Sequence, residues 1–167
     1  NTLTFRPDGT IHADNTDGYG FIANLRQSLP AWDAAVGPAL VLGSGGSARA
    51  VISALLGAGA PEVRIANRNS GRAEGLRDHF GSRLRVVPWE TASDSAAGAA
   101  TIVNTTPVGM AGDDVPIDLG RADRTAVIAD VVYGRAGTPF VAAARALGLT
   151  AIDGLGMLLH QGVPGFE

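Results

Sequence analysis

A glycine-rich turn between a short apolar run and a helical pattern is the feature that most constrains the fold of this chain. The run Ala39–Leu42 is typical of a buried strand, and it is followed directly by Gly43-Ser44-Gly45-Gly46-Ser47-Ala48. A helical pattern begins near Ala48. In this setting a G-x-G-x-x-A sequence predicts a tight turn at Gly43, a backbone at Gly45 that a pyrophosphate can approach, and close packing of a helix on a sheet. The alternative is a glycine-rich turn without a ligand.

Short aliphatic or β-branched runs alternate with Ala- and Leu-rich runs of helical period along the rest of the chain. This alternation is typical of βαβ units. Strands are predicted at 39–42, 62–66, 84–88, 101–104, 126–131 and 150–152. Helices are predicted at 48–56, 70–80, 138–147 and from 157 onward, with a weak helix between 91 and 97. We therefore expect an α/β fold of the Rossmann type, a doubly wound, mainly parallel six-stranded sheet with helices on both faces.

A different unit precedes this alternation. Pro7-Asp8-Gly9 predicts a hairpin turn, and the run Asp14-Asn15-Thr16-Asp17-Gly18 introduces an amphipathic helix over 19–29 that Pro30 closes. On local chemistry alone, Thr16 or Asp17 would cap this helix. We divide the chain into a lead-in segment and helix, residues 1–29, and a dinucleotide-binding domain, residues 30–167.

The composition limits the partners that we expect. The net charge is −3 and there is no long run of one sign, so we expect neither nucleic acid nor a membrane as partner. The chain has no Cys and only three scattered His, which argues against a metal site. We found no apolar run of transmembrane length and no leader, so we expect a cytoplasmic location and a small-molecule partner. All 13 basic residues are Arg, so these residues cannot complete a mechanism that needs a lysine amine.

The end of the second predicted strand bears on the choice of cofactor. A domain that binds NAD would carry Asp or Glu there for the ribose hydroxyls, whereas this chain has Asn67-Arg68. A carboxylate would repel the 2′-phosphate of NADP, but a guanidinium can pair with it, so NADP is favoured. Arg72 could contact the same phosphate or the adenine. The alternative is that both arginines are ordinary surface charges.

Two further segments follow predicted strands. Asn104-Thr105-Thr106-Pro107-Val108-Gly109-Met110 comes after the fourth strand, at an edge where ligands bind in such folds. Gly154-Leu155-Gly156-Met157-Leu158-Leu159-His160-Gln161 is a loop that enters a helix. Met157 and Leu158 could simply belong to the core.

Taken in order, these segments resemble the shikimate dehydrogenase family. The resemblance covers the whole chain, and it rests on Asn1-Thr2, Asn15-Thr16-Asp17-Gly18, Gly43-Ser44-Gly45-Gly46-Ser47-Ala48, Asn67-Arg68, Asn104-Thr105-Thr106-Pro107-Val108-Gly109-Met110, Asp130-Val131-Val132-Tyr133 with Thr138-Pro139, and Gly154-Leu155-Gly156-Met157-Leu158 with Gln161. It implies an oxidoreductase of aromatic amino-acid (chorismate) biosynthesis that reduces 3-dehydroshikimate to shikimate with NADP.

The resemblance also implies roles for individual residues. Asp17 would be the catalytic-site residue. The substrate would be bound by Asn1, Asp17, Tyr133 and Gln161. The cofactor would be bound by Gly43, Ser44, Gly45, Gly46, Ser47, Asn67, Arg68, Arg72, Asn104, Thr105, Thr106, Val131, Gly154 and Met157.

The chain departs from the family pattern in two places. After Tyr133 the family often has Asn-Pro and then a Lys, whereas this chain has Gly134-Arg135-Ala136-Gly137. The family's catalytic Lys and substrate-binding serines lie in an amino-terminal domain before Asn1-Thr2, and its chain continues past Phe166-Glu167 into a final helix. An ordinary aspartate, with a pKa of about 4, is a poor proton donor at neutral pH. We therefore expect an incomplete chain that binds NADP without turnover. The alternatives are a quinate/shikimate paralogue and a non-catalytic NADP-binding module.

Overall fold

A two-stranded hairpin leads into an alternation of strands and helices. The computed structural model describes residues 1–108, 117–135 and 137–166. The strands are β1 (Thr2–Phe5), β2 (Ile11–Asp14), β3 (Ala39–Leu42), β4 (Val63–Ala66), β5 (Leu84–Val87), β6 (Thr101–Asn104), β7 (Val127–Asp130) and β8 (Thr150–Ile152). The α-helices are α1 (Asp17–Ser28), α2 (Gly46–Gly57), α3 (Ser70–Phe80), α4 (Pro139–Ala146) and α5 (Leu155–Gly162). Gly109, Met110 and Ala136, which belong to motifs discussed above, lie outside the described residues.

The six strands β3 to β8 form a single parallel sheet in the order β5-β4-β3-β6-β7-β8. The strand order runs outward in both directions from the central pair β3 and β6. The direction of winding therefore reverses between these two strands, and a crevice opens there at the carboxyl edge of the sheet, where doubly wound folds bind their ligands. The predicted Rossmann-type sheet is confirmed.

Helices cover both faces of the sheet, and each face has its own hydrophobic core. All four residues of β3 are buried, as expected for a strand that is covered on both sides. Val41 packs into the first core with residues of α1, α2, α3 and α5, whereas Leu40 and Leu42 pack into the second core with residues of α4. No helix among the described residues is long and apolar enough to cross a membrane.

Several predicted boundaries shift, and one predicted element is wrong. The weak helix predicted over 91–97 is replaced by two short 3-10 turns, Trp89–Thr91 and Asp94–Ala96. Ser and Asp in this stretch compete for backbone hydrogen bonds and disfavour a continuous helix. Helix α2 starts at Gly46 rather than near Ala48, because Gly46 and Ser47 are poor helix formers in a helix interior but are tolerated in its first turn.

Helix α1 contributes Phe21 and Leu25 to the first core, so the lead-in helix packs on the same face of the sheet as α2, α3 and α5. The division into residues 1–29 and 30–167 stays a prediction.

Asn24 of α1 is buried, and its Nδ2 donates a 2.9 Å hydrogen bond to the carbonyl of Asp153, just before α5. A Cβ at Gly20 would lie 2.6 Å from the carbonyl oxygen of Met157. The absence of a side chain at Gly20 therefore lets α1 and α5 approach closely.

We expect Gly20→Ala to lower the free energy of unfolding by about 1 to 3 kcal/mol, because the added methyl group overpacks the contact between α1 and α5. Gly75→Ala is the matched control, since Gly75 also lies inside a helix but a Cβ there meets no atom within 4 Å. The control should gain about 0.5 to 1 kcal/mol from its better helix propensity. Urea unfolding of both variants measures the difference, and equal behaviour would refute the close approach of the two helices.

Candidate active site

The turn after β3 is held in shape by its neighbours. Gly43 has φ +107°, which favours glycine, and a Cβ there would lie 2.7 Å from Oγ1 of Thr105. The Gly43 N–H donates to the carbonyl of Ala66 at 2.8 Å. Thr105 donates twice to the carbonyl of Leu42, from its N–H at 2.9 Å and from its Oγ1 at 2.6 Å. The turn is therefore bound to the ends of both β4 and β6.

The first turn of α2 is open to a ligand. Gly45 is the N-cap residue, it offers no side chain to the free amides that follow, and both it and Gly46 are exposed. A Cβ at either glycine would meet no atom within 4 Å. The first amides of a helix lack intrahelical acceptors and carry partial positive charge, so this cradle suits an anion.

Asp17 is the first residue of α1, and Asn1 lies beside it. The Nδ2 of Asn1 donates to Oδ1 of Asp17 at 2.5 Å, and the Oδ1 of Asn1 accepts from the N–H of Thr16 at 3.0 Å. The Asp17 N–H donates to Oδ1 of Asn15 at 3.0 Å. Thr16 is the N-cap residue, but its side chain makes no capping hydrogen bond, and the Asp17 carboxylate bonds to Asn1. Thr16 therefore occupies the N-cap position, as the cap interpretation expects, but it does not cap the helix through its side chain.

Most of the predicted substrate residues share one cleft with several predicted cofactor residues. The cleft has a volume of about 180 Å³. It is lined by Asp17, Ser47, Val131, Tyr133, Gly154, Met157, Leu158 and Gln161. Asn1 does not line this cleft, but its side chain is hydrogen-bonded to Asp17, which does.

A second cleft of about 460 Å³ adjoins the first. It is lined by Ser47, Thr105, Thr106, Pro107, Val131, Val132 and Tyr133. The two clefts share three residues, so together they form one groove across the carboxyl ends of β3, β6 and β7. This is the crevice that the strand order predicts.

A buried polar network supports the floor of this groove. Asp130 accepts hydrogen bonds from Nδ2 of Asn104 at 2.9 Å, from the N–H of Val132 at 3.0 Å and from Oγ1 of Thr138 at 2.6 Å. Oδ1 of Asn104 accepts from Oγ1 of Thr106 at 2.7 Å. Burial raises the pKa of the Asp130 carboxyl, although its hydrogen bonds with Thr138, Val132 and Asn104 oppose the shift.

This network affects two of the predicted cofactor residues. The side chains of Asn104 and Thr105 are buried and bonded within the protein, so they set the shape of the loop. Thr106 is half-buried and lines the groove. The direct contacts of this segment with a ligand would therefore come from the three residues that line the groove, Thr105, Thr106 and Pro107.

The predicted 2′-phosphate residues lie at the far end of the edge, after β4. Nδ2 of Asn67 donates to the carbonyl of Asn69 at 2.8 Å, and Oδ1 of Asn69 caps α3 by accepting from the N–H of Arg72. A cleft of about 290 Å³ opens here. It is lined by Asn67, Arg68, Ser70, Glu74, Val86, Val87, Pro88, Trp89 and Glu90. Arg72 is exposed in the first turn of α3 and does not line this cleft.

Sequence reasoning missed Trp89 and Glu90 in this cleft. The arginine carbon Cζ of Arg68 lies 5.7 Å from the ring centroid of Trp89. A usable signal existed, because both residues follow a predicted strand that neighbours the strand ending in Asn67-Arg68. The carboxyl ends of neighbouring parallel strands lie at one edge of the sheet.

Comparisons with known proteins agree with the fold. The family model for shikimate / quinate 5-dehydrogenase matches residues 27–109. The shikimate dehydrogenases (NADP(+)) of Dinoroseobacter shibae and Paracoccus denitrificans are 55% and 52% identical to this chain over its whole length. The chain belongs to the shikimate/quinate dehydrogenase family. It spans 60% of the length of these two relatives.

Solved structures of this family superpose well on the chain. Shikimate 5-dehydrogenase from Thermus thermophilus, in complex with NADP(H) and shikimate, is 37% identical with a TM-score of 0.81, and the match covers 98% of this chain and 59% of that one. Quinate dehydrogenase from Corynebacterium glutamicum, in complex with NAD, is 29% identical with a TM-score of 0.88, covering 98% and 60%. Relatives with this fold thus include both NADP and NAD complexes, so the cofactor must be argued from particular residues.

We expect the stability of the protein to report on Asp130. Because its pKa is raised in the folded state, the folded protein binds this proton more tightly than the unfolded chain does. The resulting stabilisation is complete below the unfolded pKa and is lost as the pH rises through the folded pKa. The free energy of unfolding of the wild type should therefore increase relative to that of Asp130→Asn as the pH falls from 7 to 4. Urea unfolding at several pH values measures this, and parallel curves would contradict it.

Proposed function

We propose that this chain binds NADP(H) along the carboxyl edge of its sheet and forms the cofactor site and part of the substrate site of a shikimate dehydrogenase, which reduces 3-dehydroshikimate to shikimate. One observation carries the proposal. The groove that is lined by Asp17, Tyr133 and Gln161 is also lined by Ser47 of the glycine-rich turn. Three predicted cofactor residues, Val131, Gly154 and Met157, line it as well. A substrate-like polar site and a dinucleotide turn therefore open into the same space.

The residues of the turn fit a dinucleotide. The amides at the start of α2 would hold the pyrophosphate, and the exposed backbone at Gly45 and Gly46 leaves room for it. When bound, NADPH supplies a hydride for the reduction of a ketone. Val131, Gly154 and Met157 would bound the nicotinamide side of the site, because they line the cleft that Ser47 of the turn shares with Asp17 and Gln161.

Arg68 supports NADP over NAD. It follows β4 at the position where a carboxylate would favour NAD, and its guanidinium can make charge-assisted hydrogen bonds to a 2′-phosphate. Of the two carboxylates in its cleft, Glu74 pairs with Arg77 at 2.6 Å. The names of the two relatives given above, which specify NADP(+), are consistent with this choice.

The polar end of the groove suits a substrate with several hydroxyl groups. The carboxylate of Asp17 can accept a hydrogen bond from a hydroxyl, while the amide of Gln161 can both donate and accept. Asn1 holds one carboxylate oxygen of Asp17 and thereby fixes its orientation. Tyr133 is half-exposed at the junction of the two clefts, where its hydroxyl can reach a bound molecule.

We expect Arg68→Ala to weaken NADP binding about ten- to a hundredfold while leaving NAD binding nearly unchanged, since one charge-assisted hydrogen bond contributes about 1.5 to 3 kcal/mol. Calorimetric titration of the 167-residue chain with each cofactor measures both affinities.

Two control variants make this titration decisive. Arg6→Ala removes an exposed arginine of the hairpin turn and should change neither affinity. Gly45→Val should abolish binding of both cofactors in a folded protein, because its branched side chain fills the space above α2. Equal losses of NADP and NAD in Arg68→Ala would exclude a contact with the 2′-phosphate.

We also expect no measurable oxidation of shikimate by the 167-residue chain with saturating NADP. Reduction of a ketone requires a proton for the developing alkoxide, and the chain has no lysine amine to handle it. Absorbance of NADPH at saturating shikimate measures turnover. Activity above the blank would show that the proton transfer does not need a lysine amine, and it would refute this expectation. The cytoplasmic location stays a prediction.

A further inference from the structure

Arg68 lies over the indole ring of Trp89, and this ring is held in place by its neighbours. Trp89 begins the 3-10 turn Trp89–Thr91, immediately after Pro88. The N–H and the Oγ1 of Thr91 both donate to the carbonyl of Pro88, at 3.2 and 3.3 Å. Trp89 is half-buried and packs against the second hydrophobic core. Its indole is therefore a fixed surface at the carboxyl edge of the sheet.

The register of the sheet brings Arg68 to this surface. Ala66 of β4 pairs with Val87 of β5, so Arg68 and Trp89 each stand two residues past a paired position. The carbon Cζ of Arg68 lies 5.7 Å from the centroid of the indole ring, within the range of a cation–π contact. The contact between Arg68 and Trp89 therefore follows from the register of β4 and β5.

We propose that Trp89 is a specificity-determining residue, which holds the guanidinium of Arg68 in position for the 2′-phosphate of NADP. The inference rests on the proposed function, because it assumes that Arg68 meets this phosphate. Trp89 acts through Arg68 and is therefore a positioning residue.

The guanidinium donors of Arg68 are available to a ligand. The guanidinium is planar and carries five N–H groups in a fixed fork, which can make two parallel hydrogen bonds to a phosphate. Among the described residues, no hydrogen bond or ion pair uses the Arg68 side chain. A guanidinium held in this way loses less conformational entropy when the phosphate binds.

The indole also keeps Arg68 from a competitor. Glu90 lines the same cleft, directly after Trp89. The described ion pairs include none between Arg68 and Glu90. Without the indole, the long side chain of Arg68 could turn to this carboxylate. Trp89 therefore favours the arrangement in which the cation is free for a ligand.

The test compares two adenosine ligands that differ only at the 2′ position of interest. Adenosine 2′,5′-bisphosphate carries the 2′-phosphate, whereas AMP lacks it. Trp89→Leu should weaken binding of the bisphosphate about two- to fivefold, the range of an exposed cation–π contact, and should leave AMP unchanged. Trp89→Phe keeps an aromatic face and should recover part of the loss. Calorimetric titration of the wild-type 167-residue chain and both variants with each ligand at low salt measures all six affinities.

A double variant tests the part that Glu90 plays. Adding Glu90→Gln to Trp89→Leu removes the competing charge and should restore part of the affinity for the bisphosphate. Failure of this restoration would overturn the competition argument. If Trp89→Leu does not fold, as judged by circular dichroism, Trp89→Met replaces it, because the longer side chain fills more volume without an aromatic face.

The remaining outcomes separate this inference from the proposed function. Equal losses for both ligands would mean that Trp89 contacts the adenosine, and they would overturn the positioning role. No loss in Trp89→Leu, together with a large loss in Arg68→Ala, would also overturn it while the proposed function stands. A wild type that binds both ligands equally, with no effect of Arg68→Ala, would refute the contact between Arg68 and the 2′-phosphate itself.

Discussion

The hydrogen bonds from Thr105 to the carbonyl of Leu42 join the two halves of the sheet at the point where the chain leaves β3. At Gly43 the backbone enters the left-handed region, and Thr105 fills the space where a side chain of residue 43 would be. Because Gly43 is also bonded to Ala66, the turn is held from both sides. The position of the first turn of α2, and with it the anion cradle, follows from this arrangement.

A second constraint positions the polar end of the groove. Asp17 begins α1 and Gln161 lies in α5, and these two helices pack closely because Gly20 carries no side chain. The same packing buries Asn24, whose amide bonds to the chain just before α5. The separation of Asp17 and Gln161 is therefore set by helix packing on one face of the sheet. Tyr133, which lies in the loop after β7, does not determine this separation.

Much of the fold could be predicted from the sequence because its strands are short apolar runs, and a run such as Ala39–Leu42 that is buried on both faces leaves few alternatives. Helix α3 was predicted at its observed bounds, since Asn69 before it and Gly81 after it are strong boundary signals. The stretch from 89 to 97 was mistaken for a helix, because Ala-rich composition outweighed the local effect of Ser and Asp. The resemblance to the shikimate dehydrogenase family grouped Asp17, Tyr133 and Gln161 as substrate residues, and these three line one cleft. It did not reveal that the Asn104 side chain is buried in a network with Asp130. Whether a polar side chain faces a ligand or a neighbour depends on tertiary contacts that a linear pattern does not contain.

Arg68 and Trp89 follow β4 and β5, on one side of the point where the winding reverses, while Tyr133 and Gly154 follow β7 and β8 on the other. The segments between β4 and β5 contribute no residue to the cleft around Asp17. The cleft around Arg68 and the cleft around Asp17 are therefore built from separate segments of the chain. Exchange of the segment from β4 to β5 between relatives would therefore let a family change its preference between NADP and NAD without altering the residues around Asp17.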